Sequence, residues 1–149
     1  MIGAGVSLAE WTRREAAAEA AWRSWRRPCP IYGARGVVVP SDEEASAVTR
    51  AEMFARSQAG PKIPRVAFWF VAADLIPGHR GATLAEPPRG EAVGIVIRAG
   101  MPREIIFLTA THELQHARDT AAGRSLTVAE LEARALAAEE TARRMRWLW

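Results

Sequence analysis

The chain has 149 residues, enough for one domain built on a single hydrophobic core. Apolar residues make up 49% and charged residues 25%, the composition of an ordinary globule rather than of a disordered tail. The net charge of +3 is spread along the chain and does not call for nucleic acid, and the single cysteine, Cys29, excludes an intramolecular disulfide framework and a Cys-rich zinc ribbon.

Met1 to Leu8 lacks the basic stretch and apolar run of a secretory signal. No apolar segment approaches the roughly 20 residues that span a bilayer, so a cytoplasmic protein without a membrane partner is expected. Ser7-Leu8-Ala9-Glu10 reads as a capping box opening a helix over 7–27. Leu8, Trp11, Ala18, Trp22 and Trp25 recur there at helical spacing with arginines on the other faces, so this accessory arm is expected to pack its tryptophans on the core. Gly36-Val37-Val38-Val39-Pro40 is a short buried-strand candidate. Ser41 is placed to cap a helix from Asp42 to about Ser57, with acids in its first turn and Ala59-Gly60-Pro61 as its stop.

Val66 to Ala73 is the strongest strand, rich in aromatic and β-branched residues. Asp74 to Glu91 carries Pro77, Gly78, Gly81, Pro87, Pro88 and Gly90 and reads as one long loop, a length that usually signals function or mobility. Ala92 to Arg98 is a second clear strand. Gly100-Met101-Pro102 then makes a turn, with Pro102 suited to the first position of a helix running to about Asp119. Gly123 ends that region, and Thr127 is placed to cap a last helix towards Arg146. Without repeats or a low-complexity linker, 1–149 reads as one domain.

The most specific signal is the pentad His112-Glu113-Leu114-Gln115-His116. Residues four apart share one helix face, so both imidazoles can reach one metal ion, and Glu113 lies beside them where a general base is needed. Catalytic zinc takes three protein ligands and keeps one open position. The third ligand must come from elsewhere, and the last helix offers acids. On a helical wheel Val128, Leu131, Ala135, Ala138, Ala142 and Met145 form an apolar arc, with Leu136 at its margin. Glu132 falls within that arc, Glu139 lies close to the same angle two turns later, and Glu130 lies opposite. A carboxylate on a buried face needs a partner, so Glu132 is the expected third ligand, with Glu139 and Glu130 as alternatives.

A strand, a turn, an H-E-x-x-H helix and a following helix bearing a glutamate resemble the short gluzincin-type zincins, especially the compact peptidase-like domains of phage and mobile elements, including the ImmA/IrrE type. Glu132-Ala133-Arg134-Ala135-Leu136-Ala137 fits the second piece of that pattern. The resemblance covers roughly Val66 to Ala142. It implies an α+β, zincin-like single domain, with a small, mostly antiparallel sheet packed on the pentad helix and the glutamate helix. It also implies one Zn2+ held by His112, His116 and Glu132, and hydrolysis of a protein or peptide substrate by zinc-bound water that Glu113 activates. The strand Ala92 to Arg98 would be the edge on which substrate pairs.

Larger gluzincins place an aspartate four residues after the ligand glutamate, where this chain has Leu136, and the metzincin continuation is absent. Asp119, one turn beyond His116, is a candidate to orient that histidine. His79, in the long loop, is a candidate for transition-state stabilisation. The alternative to an enzyme is a non-catalytic zincin-fold interaction or assembly module, of phage or mobile-element type, and the Trp147-Leu148-Trp149 end could anchor a protein partner.

Overall fold

A computed structural model describes residue 9 and residues 37–83, 93–123 and 125–145. The helix expected over 7–27, Cys29 and the Trp147-Leu148-Trp149 tail lie outside the described residues. The described elements follow in the order β1 (Val37–Val38), α1 (Asp42–Ser57), β2 (Val66–Val71), a 3-10 turn (Ala73–Leu75), β3 (Gly81–Thr83), β4 (Val93–Arg98), α2 (Arg103–Ala121) and α3 (Val128–Arg144). The architecture is α+β.

Local chemistry starts two of the helices. The Ser41 hydroxyl accepts from the Glu44 N–H at 3.2 Å, while Glu44 Oε1 accepts from the Ser41 N–H at 2.9 Å. The other Glu44 oxygen accepts from Gly100 N–H at 2.9 Å and fastens the start of α1 to the turn before α2. Thr127 and Glu130 form the same reciprocal pair at the start of α3, each bond 3.1 Å. Pro102 occupies the position just before α2 rather than its first turn, because its extended ψ of 146° leaves it outside the helix. Gly123, at φ 65°, takes the left-handed turn that follows α2.

The strands lie in the order β1-β2-β4-β3. β2 and β4 run parallel over six residues, from Val66↔Val93 to Val71↔Arg98, whereas β1–β2 and β3–β4 are antiparallel. The sheet is therefore mixed, and its longest pairing is parallel, against the expected mostly antiparallel arrangement. The segment between β2 and β4 is long enough to carry the chain back for a parallel return, which a short hairpin turn would forbid. Part of the expected loop is itself a strand: among the described residues β3 forms the outer edge, and β4 lies inside the sheet. Ala92 to Arg98 is thus not the edge strand.

Alternation along the strands divides two apolar clusters. Phe68, Phe70, Ile95 and Ile97 pack on one face with Val48, Ala51 and Phe54 of α1 and Ile106, Phe107, Ala110 and Leu114 of α2. Ala67, Trp69, Val71 and Val96 cluster on the opposite face with Ile76. β2 serves both clusters, so it reads as an unbroken apolar run.

The packing of α3 departs from the expected arc. Val128 is 84% exposed and Leu136 53%, while the buried residues of the helix are Ala135, Glu139 and Ala142. Two alanines let α3 come close to α2, so bulky side chains are turned out and a carboxylate is brought in. Among the described residues, no helix is long and apolar enough to cross a membrane.

Candidate metal centre

α2 carries two opposed faces. Ile106, Phe107, Ala110, Leu114 and Ala117 bind it into the core, which leaves His112 and His116 on another face, towards the edge strand β3 and α3. The imidazole rings lie 5.0 Å apart between centroids, at 75° to each other. Donor atoms of His112, Glu113 and His116 all come within 4.8 Å of one another.

Glu132, one turn into α3, faces both rings. Its Oε1 is 3.1 Å from His112 Nε2, and its Oε2 is 3.2 Å from His116 Nε2. Glu139, two turns further along the same face, places Oε2 3.1 Å from His112 Nδ1. The far oxygen of Glu139 is 3.4 Å from Arg80 Nη2 and 3.4 Å from Arg143 Nη2. His112 therefore has a carboxylate oxygen at each ring nitrogen. Which ring nitrogen donates depends on the tautomer of the imidazole.

The donor set fits zinc. Bonds of about 2.0–2.1 Å in a tetrahedral shell separate adjacent donor atoms by about 3.3 Å, close to the spacing at Glu132. His112, His116 and Glu132 offer nitrogen and oxygen donors of the kind this ion takes, and Glu139 lies at the other nitrogen of His112.

Glu113 is 7% exposed and accepts the Thr83 hydroxyl on Oε2 at 2.7 Å. The same hydroxyl lies 3.0 Å from the Glu113 carbonyl oxygen. β3 thereby touches the pentad directly, and Gly81 makes the approach feasible. A Cβ at Gly81 would lie 2.8 Å from Thr109 Cγ2, 3.0 Å from the Val96 carbonyl and 3.3 Å from Glu113 Cγ.

The histidines, Glu113 and Glu132 line an open cleft of ≈ 660 Å³, walled by Gly78 to Gly81, Thr83 and Leu136. His79 stands exposed on this wall, with its N–H bonded to the Ile76 carbonyl at 3.1 Å. Asp119 is 1% exposed; it accepts from Gln115 Nε2 at 3.2 Å and from Arg134 Nε at 2.9 Å, which ties α3 to α2. That bond raises the pKa of Arg134 above its ordinary value. Glu130 faces its own cap instead of the histidines, and hydrogen bonds from Thr127 hold its carboxyl below the usual carboxylate range.

Sequence reasoning missed Thr83 and the close approach at Gly81, which sit in a stretch with no periodicity to mark a strand, and it weighed Arg80 only for transition-state stabilisation, whereas Arg80 Nη2 lies 3.4 Å from Glu139. Glu139, the alternative to Glu132 as third ligand, lies at the His112 nitrogen turned away from Glu132. The seven-residue spacing from Glu132 is the signal for that role, since one residue faces the donor edge of His112 and the other its back. No family model, curated protein or solved structure gives a significant match to the chain.

Proposed function

We propose that this protein is a zinc-dependent peptidase of the gluzincin type. The observation that carries the reading is the convergence of His112 Nε2 and His116 Nε2 on Glu132, at 3.1 and 3.2 Å, with Glu139 behind His112. His112, His116 and Glu132 would hold the ion, which when bound would supply a Lewis acid and a nucleophilic water near neutral pH.

The chain's own residues supply the rest. Glu113 would be the general base: Thr83 occupies Oε2, so Oε1 would take a proton from the water that attacks the peptide carbonyl and pass it to the amine nitrogen as the C–N bond breaks. The edge strand positions the substrate. Arg98 N–H donates to the Arg80 carbonyl at 2.8 Å, so Arg80 and Ala82 direct their main-chain groups at β4. The N–H and C=O groups of Gly81 and Thr83 therefore face away from β4, where no described strand pairs with them, and they would receive an extended peptide laid along the cleft.

The test is Glu113→Gln in the zinc-loaded protein, assayed on a mixed peptide library by mass spectrometry. Cleavage by the parent chain and its loss in the variant, with zinc content unchanged, is the expected outcome. A parent chain that binds zinc and cleaves nothing overturns the enzymatic reading in favour of the interaction module.

A further inference from the structure

A second cleft, of ≈ 260 Å³, lies between α1, α2 and α3. It is lined from α2 by residues about half a helical turn away from the pentad face, so it opens on the other side of the α2–α3 seam from the metal centre. Phe54, Ile63 and Leu114 give it a buried apolar floor. Arg118 from α2 and Arg134 from α3 bring two guanidinium groups to it.

The two arginines differ in their partners. Arg134 has Asp119 at 2.9 Å. Arg118 is 6% exposed and hydrogen-bonds through Nη2 to the carbonyls of Ala55 at 2.7 Å and Gln58 at 3.5 Å. Among the described residues no carboxylate pairs with Arg118, and its buried Nε has no partner. Desolvation lowers its pKa from the ordinary arginine value, with Arg134 and Arg56 adding to the effect and Asp119 opposing it. The carbonyls at the end of α1 answer part of this charge, and the rest stands against an apolar floor.

We propose that this cleft binds a small monocarboxylate with a compact apolar body. A carboxylate matches the guanidinium groups that Arg118 and Arg134 bring to the lining of the cleft. The apolar body covers Phe54 and Leu114. The volume lies just below the range of drug-sized ligand pockets, which sets the ligand at about the size of one amino acid. The metal centre plays no part in this recognition.

The experiment titrates the full chain with N-acetyl-leucine, followed by amide NMR shifts. N-acetyl-leucinamide serves as the uncharged match, and inorganic phosphate as an anion without an apolar body. Saturable shifts at Gln115, Arg118 and Ala138 are expected with the carboxylate, and affinity at least about tenfold weaker with either control. Ala138→Phe, which fills the cleft, should abolish those shifts at an unchanged melting temperature. Arg118→Lys should weaken binding, and because Arg118 also caps α1, the Ala138 variant decides the matter if the lysine variant unfolds. Absence of saturable shifts from the folded parent chain overturns the proposal. So do equal binding of the amide, tighter binding of phosphate, or binding that survives Ala138→Phe.

Discussion

Glu139 Oε2 sits 3.1 Å behind His112 Nδ1, on a carboxylate that is itself almost fully buried. Its helical position, seven residues beyond Glu132, puts one acid at each edge of the same imidazole. Such outer carboxylates fix the tautomer and raise the basicity of the ligand nitrogen, and losing one weakens metal binding by about 10–100-fold. Glu139→Gln is expected to fall in that range by competition with a fluorescent zinc chelator, while far-UV circular dichroism is unchanged. Equal affinity in the variant would show that Glu139 serves packing alone.

The Thr83 hydroxyl holds Glu113 at 2.7 Å. Thr83→Val keeps the shape and removes the proton donor. A hydrogen bond to a charged group contributes about 1.5–3 kcal/mol, so kcat is expected to drop about tenfold to a hundredfold. Zinc stoichiometry should stay unchanged, which separates loss of positioning from loss of the ion.

Gly81 is the point of closest approach between β3 and α2. Gly81→Ala drives a methyl to 2.8 Å from Thr109 Cγ2 and 3.0 Å from the Val96 carbonyl. Overpacking of this kind costs about 1–3 kcal/mol, readable as a lower midpoint in urea unfolding. The strand is expected to shift rather than the helix, so the variant should also lose the Thr83–Glu113 contact.

Asp119 joins the two helices through Arg134, with its side chain buried and the arginine partly exposed. Asp119→Asn leaves that guanidinium without its anion at the seam; with solvent screening of the exposed partner, a loss of about 1–3 kcal/mol is expected in urea unfolding. Arg134 has its pKa raised in the folded state, so its share of stability is fully present below the unfolded arginine pKa and is lost only as pH rises through the folded value. The difference between parent and variant attributable to Arg134 should therefore not vary across neutral and mildly alkaline pH.

Much of this fold can be read from local chemistry. Ser41 and Thr127 mark helix starts because their hydroxyls serve orphan N–H groups, and Val66 to Val71 declares a buried strand by its unbroken apolar run. Strand order is different in kind. β3 is three residues in a glycine- and proline-rich stretch, held by pairing with β4 rather than by its own propensity, so neither its existence nor the interior place of β4 shows in the pattern. The buried face of α3 was obscured because Ala135 and Ala142 carry little hydrophobic weight, while Leu136 and Val128 carry much and face outward. The spacing of the pentad puts the histidines on one face with Glu113 beside them, whereas Glu132 reaches both rings from an exposed position and not from the buried arc that the wheel assigned it. Thr83 and Arg80 depend on tertiary contacts that no periodicity encodes.

X-ray absorption at the zinc edge, on protein loaded with one equivalent of zinc, tests the central assignment most directly. The expected spectrum shows a four-coordinate ion with two imidazoles and oxygen donors at about 2.0–2.2 Å, with one imidazole contribution lost in His116→Ala and an oxygen contribution altered in Glu132→Ala. A spectrum without paired imidazole scattering, or one identical in the parent and the His116 variant, would contradict it.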